Sequence, residues 1–224
     1  MTIATIVERV RAAIDELMEN ESGFLRESTD EANLTAVIKD KIGYALLYVL
    51  EHAPQDMLDA DSFEVLTPEE VDAMFTPAAD PATNMALLVL PDDLLRIVDA
   101  RLSTWPYYPL PEPDTSQVAL MQQDEYARGS WDRPVNILSR NASGKRVLKM
   151  YCGRTASDTL VFSFLRKPDT SGYAGGSDST EVDVPERLEA ALIYQIAGLT
   201  MLAFNDSHAN ALLEVARYAL VNSE

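Results

Sequence analysis

One stretch of this 224-residue chain is apolar at nearly every position, from Leu188 to Phe204. A surface helix keeps polar residues on one face, but apolar residues such as Ile193, Ile196 and Leu199 cover every face of this one. A helix of this kind is normally buried against several neighbours or a partner chain. Any fold of the chain must therefore surround this helix with other apolar surfaces.

The N-terminal part is predicted to be helical. Ser28 and Glu31 form a possible capping box for a second helix that runs to about His52. Thr67 and Pro68 have the spacing of a cap and a first helical position, which predicts a short third helix. The first helix is indicated by apolar residues at helical spacing, namely Ile3, Ile6, Val7, Val10, Ile14 and Leu17.

The pattern changes after Pro81 to short apolar runs that are typical of strands. Met85–Leu90 is such a run, and alternation from Leu95 to Ala100 predicts another strand. The residues Asn141 to Gly144 predict a hairpin turn. For residues 116–128 a short helix and an irregular segment are both compatible with the sequence. Three further strands are predicted at Val135–Ser139, Arg146–Tyr151 and Thr159–Leu165, and together they favour an antiparallel meander.

The C-terminal part is predicted to be a helical hairpin. A Gly- and Ser-rich segment from Ser171 to Ser179 is expected to be mobile. Asp183 and Glu186 have capping-box spacing before the apolar helix, and Ser207 is a candidate cap for a last helix ending near Val221. The predicted class is α+β, with an inserted β-rich segment at 85–168 between a helical part at 1–84 and a hairpin at 183–224. A flexible loop at 169–182 precedes the hairpin, which is expected to pack on the N-terminal helices.

The charge of the chain is distributed unevenly. The formal net charge is −18, yet the span from Arg96 to Lys167 contains 11 Lys and Arg against 7 Asp and Glu. Strong acidity disfavours nonspecific binding of nucleic-acid backbones, because phosphates are repelled. No run approaches the roughly 18 apolar residues of a membrane span, so no membrane partner is expected.

The sequence contains no pattern that predicts catalysis. Cys152 is the one cysteine, and the two histidines, His52 and His208, lie near predicted helix ends. This set lacks the spacing of a structural zinc site. Gly144 and Lys145 do not fit a phosphate-binding loop, since Ser139 stands where that motif has its first glycine. We therefore expect a non-enzymatic protein with no metal and no cofactor, although an active site that assembles only in space stays an alternative.

Aromatic and arginine side chains are close together in the middle of the chain. Such a group can form a protein interface, where Trp, Tyr and Arg are enriched. It can also form the core of a β-domain, or stack on bases. We predict a protein interface at Trp105, Tyr107, Tyr126, Arg128, Trp131 and Arg133.

The order of several short motifs resembles that of a known family. The run from Leu90 to Val98 is followed by Trp105, then by Tyr126-Ala127-Arg128-Gly129 and Arg133-Pro134-Val135, and last by Val184 to Tyr194 before a two-helix C-terminus. Over residues 85–221 this order resembles the head–tail connector proteins, also called adaptor or ring proteins, of tailed bacteriophages. The resemblance is strongest to those of gut Bacteroidales and crAss-like phages, and the tail tubular proteins of short-tailed phages are more distantly similar.

The resemblance implies a virion structural protein, encoded by a phage or a prophage, that assembles as an oligomeric ring. Its partners would be copies of itself, the portal protein and tail components, with DNA only as a passing, non-specific contact in the channel. It would act in the host cytoplasm during assembly and then in the virion. The acidity of the chain keeps a second possibility open, a soluble acidic intracellular interaction module of the immunity or DNA-mimic type.

Overall fold

The computed structural model describes residues 1–18, 31–59, 63–76, 85–103, 105–124, 126–130, 132–151 and 159–221. Within them, the helices are α1 (Ile3–Met18), α2 (Glu31–His52), α3 (Pro68–Met74), α4 (Ser116–Met121), α5 (Glu189–Ala203) and α6 (Ala209–Val221). The strands are β1 (Phe63–Val65), β2 (Phe75–Thr76), β3 (Met85–Val89), β4 (Leu94–Leu102), β5 (Glu112–Pro113), β6 (Val135–Arg140), β7 (Arg146–Tyr151) and β8 (Leu160–Arg166). The predicted α+β class is confirmed.

The chain forms two compact units. The helical unit comprises Met1–Ala60 and Pro168–Glu224, and the β-rich unit comprises Asp61–Lys167. The β-rich unit thus begins at Asp61 and not at the predicted boundary of 85. The reason is strand pairing, because β1 pairs with β8 and β2 pairs with β3.

The helical unit is built around α5, which contacts α1, α2 and α6. This arrangement explains the apolar residues on all faces of α5, since three neighbours each require an apolar face of it. Leu192, Ile196 and Ala197 are fully buried. The facing side chains of the other helices are also buried, and they include Ile6, Val10 and Ile14 of α1, Ile38, Ile42 and Leu46 of α2, and Leu212 of α6.

The segment at 169–182, predicted to be a flexible loop, is instead hydrogen-bonded to α1 and α2 within the helical unit. The first backbone N–H groups of a helix have no partner within it, and here the carbonyls of Thr180 and Asp178 accept from the amides of Ile3 and Ala4 at 2.9 and 3.0 Å. Lys39 of α2 donates to the Gly176 carbonyl at 3.1 Å and to Asp178 Oδ1 at 2.9 Å. The loop therefore caps α1, which composition alone does not reveal.

Three capping predictions have different outcomes. The predicted cap at Thr67 is confirmed, because Glu70 N donates to the Thr67 hydroxyl. The structure adds a full capping box, since the Glu70 carboxylate accepts from Thr67 N at 2.9 Å. The box at Asp183 is wrong, since α5 is preceded by a 3₁₀ turn that begins after Pro185 without a side-chain cap. Ser28 of the predicted box for α2 lies outside the described residues.

The helical hairpin turns at Asn205, which has a φ of 56°. Asparagine tolerates this left-handed conformation better than other residues with a side chain. The carboxylate of Asp206 then accepts from the His208 amide at 2.8 Å. The side chain that accepts a backbone N–H just before α6 is therefore that of Asp206, whereas the sequence suggested Ser207.

The β-rich unit contains two sheets that share one hydrophobic core. One sheet has the order β1-β8-β4 and the other the order β2-β3-β7-β6-β5. Among the described strands, β5 and β6 form the one parallel pair. The hairpin β6–β7 around Asn141–Gly144 is confirmed. The core includes Leu88, Leu148 and Met150 of the five-stranded sheet and Ala100, Phe162 and Phe164 of the other.

The predicted meander is wrong at its last strand. β8 does not continue the β6–β7 hairpin but lies between β1 and β4 in the other sheet. β8 is a strongly apolar strand, and a central position gives it hydrogen-bonded neighbours on both sides. Strands adjacent in sequence usually pair, but here the burial of Phe162 and Phe164 requires a different partner.

Candidate protein-interaction surface

Trp105, the first residue of the predicted interface, belongs to the hydrophobic core. Its side chain is 3 % exposed and packs in the cluster that joins the two sheets. The amide of Asn136, a fully buried residue of β6, donates to the carbonyls of Ala100 at 2.9 Å and Pro109 at 3.1 Å. These bonds hold the Pro-rich segment after β4 against the sheets, so the Trp105 indole cannot meet a partner. Here the β-core alternative is correct.

Tyr108 is partly buried and packs against the same hydrophobic core as Trp105. The loss of water around the ring raises the pKa of the Tyr108 phenol, and the nearby Asp99 carboxylate raises it further. The hydroxyl group is therefore neutral at physiological pH. Tyr107, its neighbour in sequence, is 46 % exposed. Tyr107 is therefore the more exposed of the two tyrosines, while Tyr108 packs against the core.

Tyr126 is the most exposed aromatic residue of the predicted interface. Its side chain is 93 % exposed, while its amide donates to Asp124 Oδ1 at 2.8 Å. The interior side of this turn is also fixed, because the buried Gln122 side chain accepts a hydrogen bond from the Gly129 amide at 2.9 Å. An aromatic side chain on a fixed turn loses little entropy on binding, which favours a role in recognition.

The arginines of the predicted interface lie in the same turn region. Arg128 is half-buried, and its amide donates to the Asp124 carbonyl. Arg133 is exposed, and its guanidinium donates to the Ala127 carbonyl at 3.5 Å. The structure therefore brings Tyr126, Arg128 and Arg133 together in one turn region. Trp131 lies outside the described residues.

Several exposed apolar side chains accompany this turn. Leu110 is 78 % exposed just before β5, and Leu138 of β6, paired with Pro113, is 39 % exposed. Leu120 and Met121 of α4 are 62 % and 44 % exposed. We call the exposed apolar and aromatic side chains of this region the edge surface; they are Tyr107, Leu110, Leu120, Met121, Tyr126 and Leu138. Exposed apolar side chains that form a contiguous patch are typical of interaction sites.

The edge strand of this surface is held by one carboxylate. Asp114, directly after β5, accepts from the Lys149 ammonium at 2.8 Å and from the Ser139 hydroxyl at 2.5 Å. These two bonds lower the pKa of the Asp114 carboxyl below its ordinary value, with the Lys149 bond the larger cause. The ionised carboxylate thus connects the two-residue strand β5 to β6 and β7.

Replacing Asp114 by asparagine is expected to loosen β5 and α4 at neutral pH while leaving the sheet intact. Because the folded-state pKa of Asp114 is lowered, its contribution is present above the unfolded-state pKa and disappears as the pH falls through the folded-state value. Hydrogen exchange of the backbone amide at position 114 should be faster in D114N than in the parent protein at pH 7. This difference in exchange rate should disappear in acid. Asp92→Asn serves as a control, and a difference that persists at low pH would contradict this role.

The helical unit has its own exposed apolar face, which the sequence analysis missed. Val215, Tyr218 and Val221 follow one another at helical spacing on α6 and are 42 %, 70 % and 77 % exposed. On the opposite face of α6, Leu212, Ala216 and Leu220 are buried against the rest of the unit. We call the exposed residues Val215, Tyr218 and Val221 the α6 surface. Apolar residues on both faces of one helix were the available signal in the sequence.

Two features that would indicate a function are absent from the described residues. Among them, no group of three or more His, Cys, Asp or Glu side chains is placed to hold a metal ion. Within the same part of the chain, no helix has both the length and the apolar composition needed to cross a membrane. The sequence matches no protein-family model and no curated protein.

Proposed function

We propose that the protein is a non-catalytic virion structural protein of a tailed bacteriophage, a head–tail connector that forms a ring between the portal and the tail. The observation that supports this most is that each unit exposes its own apolar surface. The edge surface lies on the β-rich unit and the α6 surface on the helical unit. A subunit that contacts one neighbour through each unit needs two such surfaces.

Burial in an assembly is the physical reason for these surfaces. Exposed apolar side chains lower solubility, and monomeric proteins rarely keep large groups of them without a binding role. Tyrosine is enriched at protein interfaces because its ring is apolar and its hydroxyl can remain hydrogen-bonded. Tyr126 and Tyr218 are the most exposed aromatic side chains of the two surfaces. We expect both to become buried when the protein assembles.

The order of the elements supports the same function. The helical unit is made from both ends of the chain, and the β-rich unit is inserted between them. The resemblance to connector proteins implies the same order, with a helical ring body and a β-rich part that contacts a neighbour or the next tail component. The helical unit contains 21 Asp and Glu against 7 Lys and Arg, a formal charge of −14. Such a charge would let DNA pass through a channel without binding tightly.

That same charge favours a second candidate function, an acidic interaction module of the immunity or DNA-mimic type. A DNA mimic binds a basic DNA-binding protein through its carboxylates and needs no apolar surface. The genes beside the coding sequence separate the two candidates. Portal, capsid and terminase genes would favour the connector, whereas a toxin or nuclease gene would favour the acidic module.

Electron microscopy with the portal ring of the same genome tests the connector directly. The purified protein is expected to decorate the portal as a closed ring, even if it is monomeric alone. Substituting Val215 and Tyr218 together by serine should abolish the ring while leaving the melting temperature close to that of the parent, since both side chains are exposed. The same result is expected for Leu120 and Tyr126 if the edge surface contacts a neighbour within the ring.

Tyr44→Ser is the matched control for these variants. Tyr44 lies on α2, outside both surfaces, and is 67 % exposed, close to the 70 % of Tyr218. Y44S should decorate the portal like the parent protein. The connector function is wrong if the parent protein does not bind the portal ring, or if a tailless phage particle lacking this protein joins tails normally.

A further inference from the structure

The hairpin β6–β7 is a cationic element in an acidic protein. From Arg133 to Tyr151 the sequence contains five Lys and Arg and no Asp or Glu. Lys149 is paired with Asp114, and Arg146 donates to the carbonyl of Leu94 at 2.6 Å. Arg140 and Lys145, on either side of the turn, are exposed. The tip of the hairpin therefore presents two positive charges to a partner.

The tip is held in a single conformation by its own hydrogen bonds. Asn141 Oδ1 accepts from the amides of Ser143 at 3.0 Å and Lys145 at 2.9 Å. Arg140 donates to the carbonyl of Gly144, whose φ of 81° lies in the left-handed region that favours glycine. The residues between the charges are small and exposed, namely Ala142, Ser143 and Gly144. A narrow, preorganised tip of this kind can enter a groove at little entropic cost.

A groove of opposite charge lies in the helical unit between α1 and the start of α5. It has a volume of about 400 Å³, and buried Ala13 and Ile193 are among its lining residues. Three carboxylates line it, those of Glu16, Glu186 and Glu189. Among its described lining residues the basic one is Arg9, which forms an ion pair with Glu189 at 2.7 Å. Glu16 and Glu186 are exposed, so the groove offers negative charge at its rim.

We propose that the hairpin tip of one copy docks in the α1–α5 groove of the next copy, with Arg140 and Lys145 facing Glu16 and Glu186. This inference rests on the proposed connector function, because it names one further contact between the ring subunits. The two surfaces belong to different units, so the contact is heterologous, and repeating it generates a closed ring when the rotation permits. The small side chains at the tip can closely approach the groove, because Ala12, Ala13 and Ala190 of its lining are also small.

Charge favours a second copy over DNA as the occupant. A helical unit with a formal charge of −14 attracts the tip, and every copy carries one. DNA would meet two positive side chains on a protein of net charge −18, which repels phosphates overall. The tip and the groove therefore have complementary charge within one sequence.

Cysteine cross-linking tests the contact. In a background where Cys152 is replaced by serine, Ser143→Cys and Ala190→Cys are introduced together, and the protein is oxidised both on the portal ring and alone at high concentration. We expect a ladder of disulfide-linked multimers on a non-reducing gel, because a disulfide requires close approach of the two residues. Ser143→Cys with Ala203→Cys is the matched control, since Ala203 is exposed on α5 but does not line the groove.

Charge reversal adds a second readout. Arg140→Glu with Lys145→Glu should lower the cross-linked fraction at least about tenfold, because like charges at an interface are strongly unfavourable. Adding Glu16→Lys and Glu186→Lys should restore it. The docking is wrong if the Ser143–Ala190 ladder is absent under both conditions, if charge reversal leaves it unchanged, or if reversal instead abolishes retention of a duplex DNA fragment.

The two proposals can fail separately. A portal decorated with a closed ring but without the ladder would overturn the docking and leave the connector function standing. A ladder without portal decoration would support the docking between copies and overturn the connector function. Electron microscopy reports the first property and the gel reports the second.

Discussion

Replacing Ile196 by alanine is expected to lower the free energy of unfolding by about 2–5 kcal/mol, the usual cost of a large-to-small change in a core. Ile196 lies on α5 and is fully buried. Because α5 contacts α1, α2 and α6, the cavity left by the substitution cannot be filled by the movement of one neighbour alone. Urea denaturation followed by circular dichroism measures the change as a lower midpoint with an unchanged slope.

Leu202→Ala is the control on the same helix. Leu202 is 45 % exposed, so its truncation should cost less than about 1 kcal/mol. Equal losses for I196A and L202A would show that α5 is not the centre of the helical unit. A small loss for I196A alone would show that the site collapses around the smaller side chain.

Replacing Gly176 by alanine is the second large effect that we expect. A Cβ atom at this position would lie 2.7 Å from the Gly172 carbonyl oxygen and 2.8 Å from Cδ1 of Ile3. The first contact is with backbone and cannot be relieved by a rotamer change, so the capping segment must shift away from α1. We expect a loss of about 1–3 kcal/mol, as in overpacked cores. Thermal unfolding of the variant and the parent at the same pH measures it.

Gly175→Ala provides the matched control one residue away. No heavy atom lies within 4 Å of the position that its Cβ would occupy, so the stability should change by no more than about 0.5 kcal/mol. If G176A were as stable as G175A, the segment at 169–182 would be as mobile as its composition predicts. The pair therefore decides between a flexible linker and a cap for α1.

Local elements were the most predictable part of this protein. The helical spacing of Ile3, Ile6 and Val10 predicted α1, and Thr67 followed by Pro68 predicted the cap of α3. The turn at Asn141–Gly144 predicted the β6–β7 hairpin. Each of these features depends on residues within about one turn of one another, so the sequence contains all the interacting groups.

Strand pairing was less predictable. Nothing near Leu160 in the sequence distinguishes pairing with β7 from pairing with β4, because both partners offer apolar strands of suitable length. The choice depends on which arrangement buries Phe162 and Phe164 in the common core of the two sheets. The same argument applies to β1, whose partner is β8, the last strand of the unit.

The candidate site was predicted in part. Sequence composition predicted an interface at the aromatic and arginine residues of the middle region. Of these, Tyr107, Tyr126 and Arg133 are exposed. It could not separate them from Trp105, since tryptophan is common both in cores and at interfaces. The α6 surface was missed because Val215 and Tyr218 are ordinary helix residues whose exposure depends on which face packs against α5.

The sequence alone was sufficient for the α+β class, the burial required of α5, and the unequal charge of the two parts of the chain. These follow from residue type and short-range spacing, which are properties of the linear chain. The tertiary structure was needed for the division of the strands into two sheets, the capping of α1 by residues 178–180 and the exposure of the two apolar surfaces. These depend on the burial of groups distant in sequence, and burial is set by the packing of the whole unit.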